Sequence, residues 1–275
     1  MNRKKMHKIN RLKRIVKKLR DPNNGCSWDI VQTYESIAPY TIEESYEVYD
    51  AINKKDMLSL KEELGDLLFH IVLYAEMASE DNIFSLDDII DNVSNKMLRR
   101  HPHVFVKNNE KFNENSQSNT IMWENIKAKE RKNNININSE IYSELDGVAK
   151  SFPALLRAFK VQQRASRVGF DWSDEKGAID KLKEEIAELE FEIKKNPTDD
   201  TKIREEMGDV LFSVSNLSRK LDLEPESILR EGINKFEKRF RYMEMRLREE
   251  NRRIDKLNLE EFDVLWKEAK IFEND

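Results

Sequence analysis

One pattern occurs twice in this chain, and it limits the fold more than any other feature of the sequence. Glu43, Glu44 and Glu47 are followed by Glu63 and Asp66; Glu184, Glu185 and Glu188 are followed by Glu206 and Asp209. The repetition extends beyond the acids. Gly25-x-x-Trp28 answers Gly169-x-x-Trp172, Lys96 with Arg100 answers Lys235 with Arg239, and Trp123-x-x-x-Lys127 answers Trp266-x-x-x-Lys270. The offset between copies stays between 139 and 144 residues, so one unit has been duplicated with small compensating insertions. A length of 275 residues suggests about two domains by itself. The expected organisation is a first domain over 1–130, an Asn-rich connector over 131–146 and a second domain over 147–275.

Each copy reads as helix. Leu182, Ile186, Leu189 and Ile193 recur at helical spacing, as do Met207, Val210, Leu211, Val214, Leu217 and Leu221. No segment alternates in the manner of a strand, and the chain holds only seven glycines and six prolines with 37% charged residues, which suits amphipathic helices with charged outer faces. The patterns predict helices over 41–53, 57–79, 86–99, 116–131, 153–167, 176–195, 200–221, 225–250 and 259–271, and a basic first helix within residues 1–20. Asn196-Pro197 breaks the pattern between two of these and should turn the chain back, making neighbours of the two acid-bearing helices. The fold class is therefore all-α, built as two tandem helical bundles.

Composition excludes several functions. The net charge of −5 does not suggest a nucleic-acid binder as a whole, although residues 1–20 carry ten Lys or Arg. A solvated face of the first helix is the preferred reading of that basic run, with a membrane-surface or nucleic-acid arm as the alternative. No apolar run approaches the roughly 18 residues that span a membrane, and the start lacks the apolar core of a signal peptide. The single cysteine, Cys26, forbids an intrachain disulfide and fits a reducing cytoplasm.

The acids are the chemical centre of the sequence. Residues three apart share a helical face, so Glu185 projects with Glu188 and Glu206 with Asp209. Four carboxylates facing one another repel unless a cation lies between them. With no His or Cys in the cluster zinc is disfavoured, and no His forms the Glu-x-x-His pair of a di-iron bundle. Mg²⁺, with Mn²⁺ as the alternative, suits an all-oxygen set. Glu184 and Glu205 stand one residue ahead of these ligands and are candidates for orienting water as catalytic groups. The competing interpretation is solvated surface charge; the duplication favours metal. Gly65 and Gly208, recurring beside the acids at a cost of about 1 kcal/mol each relative to alanine, suggest close helix approach. Lys235 and Arg239 share a face able to meet phosphate oxygens or to belong to a mixed charged surface. Trp266 and Lys270 could stack a base and meet phosphate, or anchor the last helix in the core. His101 and His103 read as capping or packing residues.

At this point a resemblance becomes specific. RDPNNGCSWD (20–29), TIEESYEVYDAI (41–52), EELGDLLF (62–69), RRHPHVF (99–105), VGFDW (168–172) and EEMGDVLF (205–212) resemble, in order and over nearly the whole chain, the two-repeat bacterial form of the MazG nucleoside triphosphate pyrophosphohydrolases. The resemblance implies an all-α fold that dimerises through its helices, Mg²⁺ dependence, and hydrolysis of ribo- and deoxyribonucleoside triphosphates to monophosphate and pyrophosphate. It favours nucleotide contact for Lys235, Arg239, Trp266 and Lys270. A regulatory nucleotide- or metal-binding helical protein without turnover is the alternative function.

The two copies differ informatively. Lys181 and Lys202 lie four residues before Glu185 and Glu206, where the first copy has Tyr40 and Ser59. Lys ahead of Glu is the less favourable order for a helix salt bridge, which points the two lysines toward the triphosphate and makes the second half the principal site. The first half retains Glu44, Glu47, Glu63, Asp66, Lys96, Arg100, Trp123 and Lys127, a possible second site.

Overall fold

A computed structural model describes residues 7–105, 122–123, 126–127, 130, 143–195 and 200–272. Most of the Asn-rich connector, the expected helix over 116–131 apart from five residues, the turn at 196–199 and the His103 side chain lie outside the described residues. The described elements are all helical: α1 (His7–Leu19), α2 (Ser27–Ile30), α3 (Tyr34–Lys54), α4 (Met57–Glu80), α5 (Leu86–Arg100), α6 (Pro102–Phe105), α7 (Ala154–Arg167), α8 (Glu175–Lys195), α9 (Asp200–Lys220), α10 (Pro225–Glu249) and α11 (Leu259–Phe272), with one 3₁₀ turn at Ile254–Lys256. The chain divides into two compact units, 1–130 and 131–275.

The first unit is organised on the α3–α4 hairpin, with α1 and α5 packed against α4. Two residues make its turn. Lys55 takes the left-handed conformation (φ 57°) at the end of α3, and the Asp56 side chain caps α4 by accepting from the amides of Leu58 and Ser59. So short a link forces the helices antiparallel. The α3 helix begins earlier than its pattern suggests. Thr33 and Ser36 form a capping box that starts it at Tyr34, and Pro39 is carried inside the helix. Val16 of α1, Ile37 of α3, Val72, Leu73 and Met77 of α4 and Leu86 of α5 form the core, with Ile9 and Leu12 packed on it. The 21–25 loop folds back on the end of α1: Cys26 N–H donates to Leu19 O at 2.7 Å and Gly25 N–H to Asp21 O at 2.8 Å. Gly25 is obligatory there, because a Cβ would fall 2.3 Å from Leu19 O. Arg20 ties this loop to α4 by pairing with Glu80 at 2.7 Å while donating to the carbonyls of Asp29 and Gln32.

The second unit repeats the plan. The α8–α9 hairpin packs with α7, and α10 packs on α7, α9 and α11. Met243, Leu247, Leu265 and Ala269 make the α10–α11 core. The hairpin side is held by small polar contacts instead: Gln162 Nε2 donates to Phe212 O at 2.8 Å, and buried Ser215 donates to Leu155 O at 3.3 Å. The loop before α8 is locked to α9 by Asp171, whose carboxylate receives two bonds from Arg219 and one from Lys220. Burial alone would raise the Asp171 pKa, but the two cations outweigh it and hold the carboxyl below its usual range. Gly177 admits the Trp172 ring, since a Cβ would lie 2.3 Å from Trp172 Cδ1.

One inference drawn from the repeat fails. A Cβ at Gly65 or Gly208 would meet nothing within 4 Å, so neither glycine marks close helix approach within its unit. Both face open space.

Candidate active site

Each hairpin gathers acids at one place. In the second unit, Glu185 and Glu188 of α8 and Glu206 of α9 each offer a carboxylate oxygen, all within 4.8 Å of one another; in the first, Glu44 of α3 and Glu63 and Asp66 of α4 do the same. Antiparallel packing produces this, since it sets the EExxE turn of one helix beside the ExxD turn of the next. Of each expected set of four, three converge. Asp209 stands outside the group in the second unit and Glu47 in the first, so a different position is left out each time. Four carboxylates without a cation repel, and the most exposed of them can turn to water.

The electrostatics record that crowding. Partial burial, then Asp66, Glu47 and Glu63, push the Glu44 carboxyl upward. Glu63 rises through burial, Glu47 and Asp66. Glu188 rises through desolvation and then the neighbouring charge of Glu185. One oxygen of Glu44, Oε2, is buried with no hydrogen-bond partner. A carboxylate oxygen in that condition is costly unless something positive meets it.

These residues fit a hard divalent cation. Opposite oxygen ligands around Mg²⁺ at about 2.0–2.1 Å lie roughly 4.2 Å apart, close to the span over which the three carboxylates already gather. The donor set is all oxygen, and Glu44 Oε2 is an acceptor awaiting a partner. The acidic clusters could thus hold a metal ion in either unit.

The lysines are placed otherwise than their order in sequence suggests. Lys181 Nζ pairs with Glu184 and Glu185, both at 2.8 Å, and Lys202 Nζ with Glu205 at 2.8 Å. The unfavourable order does not prevent the ion pairs, and the structural explanation that this order weakens is realised here. Lys181 is held firmly protonated, by its bond to Glu184 first and Glu185 second. Glu185 is buried, 6% exposed, so the Lys181 ammonium offsets one charge at the back of the cluster. Glu184 and Glu205, the candidate catalytic groups, are exposed and engaged by these lysines. The first unit has Tyr40 and Ser59 at the corresponding positions, so neither of these two lysines has a counterpart there.

The remaining candidates form a second group in each unit. Trp266 of α11 packs against the α10–α11 core, 5.4 Å from Phe236, with the Arg239 guanidinium 5.5 Å from its ring centre. The core-anchor role is realised, and Lys235 is exposed one turn before Arg239. In the first unit Lys127 lies 3.6 Å over the Trp123 ring, and Arg100 pairs with Glu130 at 2.6 Å beside Arg99. Lys96 is half-buried on α5. His101 caps α5: its backbone N–H bonds Met97 O, and its Nδ1 lies 2.8 Å from the same oxygen. Sequence reasoning missed the Asp171–Arg219 lock and the Glu130 clamp on Arg100. Both join residues distant in sequence, and no spacing rule reports them.

Paired helical hairpins, each presenting carboxylates from EExxE and ExxD, define an all-α protein with two acidic, metal-compatible centres. The sequence profile of the MazG nucleotide pyrophosphohydrolase domain matches residues 32–105 and 174–243, the two hairpins with the helices that follow them. The chain belongs to this family. It is 43% identical over 265 residues to the nucleoside triphosphate pyrophosphohydrolase of Escherichia coli (strain K12), covering 96% of this chain and 98% of that protein. It is 40% identical over 256 residues to the nucleoside triphosphate pyrophosphohydrolase/pyrophosphatase MazG of Thermotoga maritima, covering 93% of each.

Proposed function

We propose that this protein hydrolyses ribo- and deoxyribonucleoside triphosphates to the monophosphate and pyrophosphate, using Mg²⁺ (or Mn²⁺) and chiefly the second unit. The observation that carries the reading is the convergence of Glu185, Glu188 and Glu206 beside Lys181, in a chain matched end to end by proteins of that name. Glu185, Glu188 and Glu206, joined by Asp209 once a cation relieves the repulsion, hold the ion. A divalent cation bound there neutralises triphosphate charge and lowers the pKa of a bound water. Lys181 and Lys202 exchange their carboxylate partners for phosphate oxygens, which frees Glu184 and Glu205 to orient water. Lys235, Arg239 and Lys270 supply further cations to the polyphosphate, and the Trp266 indole borders the base.

The first unit keeps the acids without the lysines. We assign it cation binding with little turnover, so its role falls nearer the regulatory alternative. We further propose a cytoplasmic homodimer. Leu64, Leu68 and Ile71 on α4, and Met207, Leu211 and Val214 on α9, are exposed at helical spacing, and apolar faces of this kind mark interaction surfaces. Among the described residues no helix is long and apolar enough to cross a membrane.

The test is a product assay over all eight common ribo- and deoxynucleoside triphosphates with and without Mg²⁺, repeated for Glu206→Ala and Glu63→Ala. Monophosphate plus pyrophosphate, lost with Glu206→Ala and largely kept with Glu63→Ala, is expected. Equal losses would contradict the asymmetry, and nucleotide binding without pyrophosphate release would leave only the regulatory reading.

A further inference from the structure

The basic first helix is not used by the site above. Residues 1–20 carry ten cationic side chains and no acidic one in a chain of net charge −5. On other helices many cations sit beside acids of their own helix, as in Lys183–Asp180, Lys194–Glu190, Arg204–Asp200 and Arg241–Glu237. In α1 the neighbours at three and four residues are cations themselves: Arg11 with Arg14, Lys13 with Lys17, and Arg14 with Lys17 and Lys18. Such pairs destabilise a helix. Relief from other helices is limited, because Lys13 pairs with Asp87 at 3.3 Å while Arg11, Arg14, Lys17 and Lys18 have no carboxylate within 4 Å among the described residues.

Three observations choose the partner. The apolar stripe of α1 is committed to the core, Val16 being fully buried with Ile9 and Leu12 against the same cluster; Ile15 alone is exposed among the apolar residues described in α1, too little to form an apolar face that enters a lipid surface. The cations run along the helix for about 10 Å from Arg11 to Lys18, at about 1.5 Å per residue, and do not converge on one point. Arg14, Lys17 and Lys18 border an open cleft of about 1160 Å³ that Glu76 and Glu80 of α4 also line, which disfavours a compact polyphosphate nested inside it. A ligand that repeats its negative charge along a line fits this surface, and the phosphate backbone of a nucleic acid has that form.

We propose that α1 is a sequence-independent docking surface for nucleic acid, with Arg11, Arg14, Lys17 and Lys18 meeting successive backbone phosphates. The sequence reading of a solvated face is replaced by one in which uncompensated repulsion along α1 is relieved by a polyanion. RNA and DNA share the chemistry and are separated by experiment.

The test uses full-length protein and fluorescence anisotropy with labelled 20-base-pair DNA and RNA duplexes between 50 and 300 mM KCl. Four phosphate contacts predict a slope of log affinity against log salt of about −3.6. The variant Arg14→Gln/Lys17→Gln/Lys18→Gln should flatten that slope by about 2.7 and bind at least tenfold more weakly at 100 mM. Its melting temperature and triphosphatase activity should not fall, since the altered side chains are exposed and remote from the acid clusters in sequence. A control, Lys150→Gln/Lys183→Gln/Lys256→Gln, removes the same charge elsewhere and should bind as wild type. Binding of either duplex with this pattern supports the proposal, and the relative affinities identify the polymer. No binding at 50 mM, an unchanged affinity in the α1 variant, an equal loss in the control, or capture by anionic phosphatidylglycerol vesicles without binding to either duplex would overturn it.

Discussion

Replacing Glu44 by Gln should stabilise this protein without metal and handicap it with metal. In the structure Glu44 is partly buried, its Oε2 has no partner, and Asp66, Glu47 and Glu63 all raise its pKa, so its charge opposes folding. Like charges one turn apart on a helix, as Glu44 and Glu47 are, cost about 0.2–0.5 kcal/mol per pair; the same figure applied to Glu63 and Asp66 across the hairpin gives about 1 kcal/mol in all. For a unit of this size that is a rise of about 4 °C in melting temperature. Mg²⁺ changes the sign. At a concentration one hundred times its Kd, an ion bound only to the folded state adds about 2.7 kcal/mol, and the variant, short of one of three carboxylates, gains much less. Calorimetric or circular-dichroism melts of both proteins in EDTA and across a Mg²⁺ titration should therefore cross: the variant melts higher without the ion, the wild type higher with it. If Glu44→Gln melts lower in EDTA as well, or if Mg²⁺ raises both curves equally, then the carboxylate is a structural group and the cation reading of the cluster is wrong.

Asp171→Asn should cost about 1.5–3 kcal/mol, the usual value of hydrogen bonds to charged groups, at neutral pH. Because the folded Asp171 pKa is lowered, its stabilisation is present above the ordinary aspartate value of about 3.9 and is lost as pH falls through the folded one; melts from pH 6 to pH 2.5 should show wild type and variant converging at the acid end. Gly177→Ala forces a Cβ into the Trp172 ring, an overpacking expected to cost about 1–3 kcal/mol and to alter tryptophan fluorescence. Gly208→Ala meets open space and should stabilise α9 by up to about 1 kcal/mol. If the second copy packs over that glycine, sedimentation will instead show a weakened dimer.

The helices were legible because burial writes a period into the sequence. The spacing of Met207, Leu211, Val214 and Leu221 gave α9 to within a residue of its observed end, and the caps at Asp56 and Ser85 left equally local signals. The helix expected from residue 41 starts instead at Tyr34, where the Thr33–Ser36 capping box nucleates it, and it continues through Pro39. The acids were legible as a pattern of three-residue spacings repeated in both halves. Which of them meet was not: Asp209 and Glu47 fall outside their groups, and Lys181 and Lys202 turn onto their own helix's glutamates.

By itself, the sequence determined an all-α chain of two related units with acid-bearing hairpins, since periodicity and duplication are properties of the order of residues. Only the tertiary structure decided which charges share a site, that Gly65 and Gly208 border open space, and that the apolar stripe of α1 is spent in the core while its cations are left outside. These depend on distances between residues far apart in the chain. The same carboxylate is repelled by an acid, held by a lysine or turned to water according to what the fold places within a few ångströms of it.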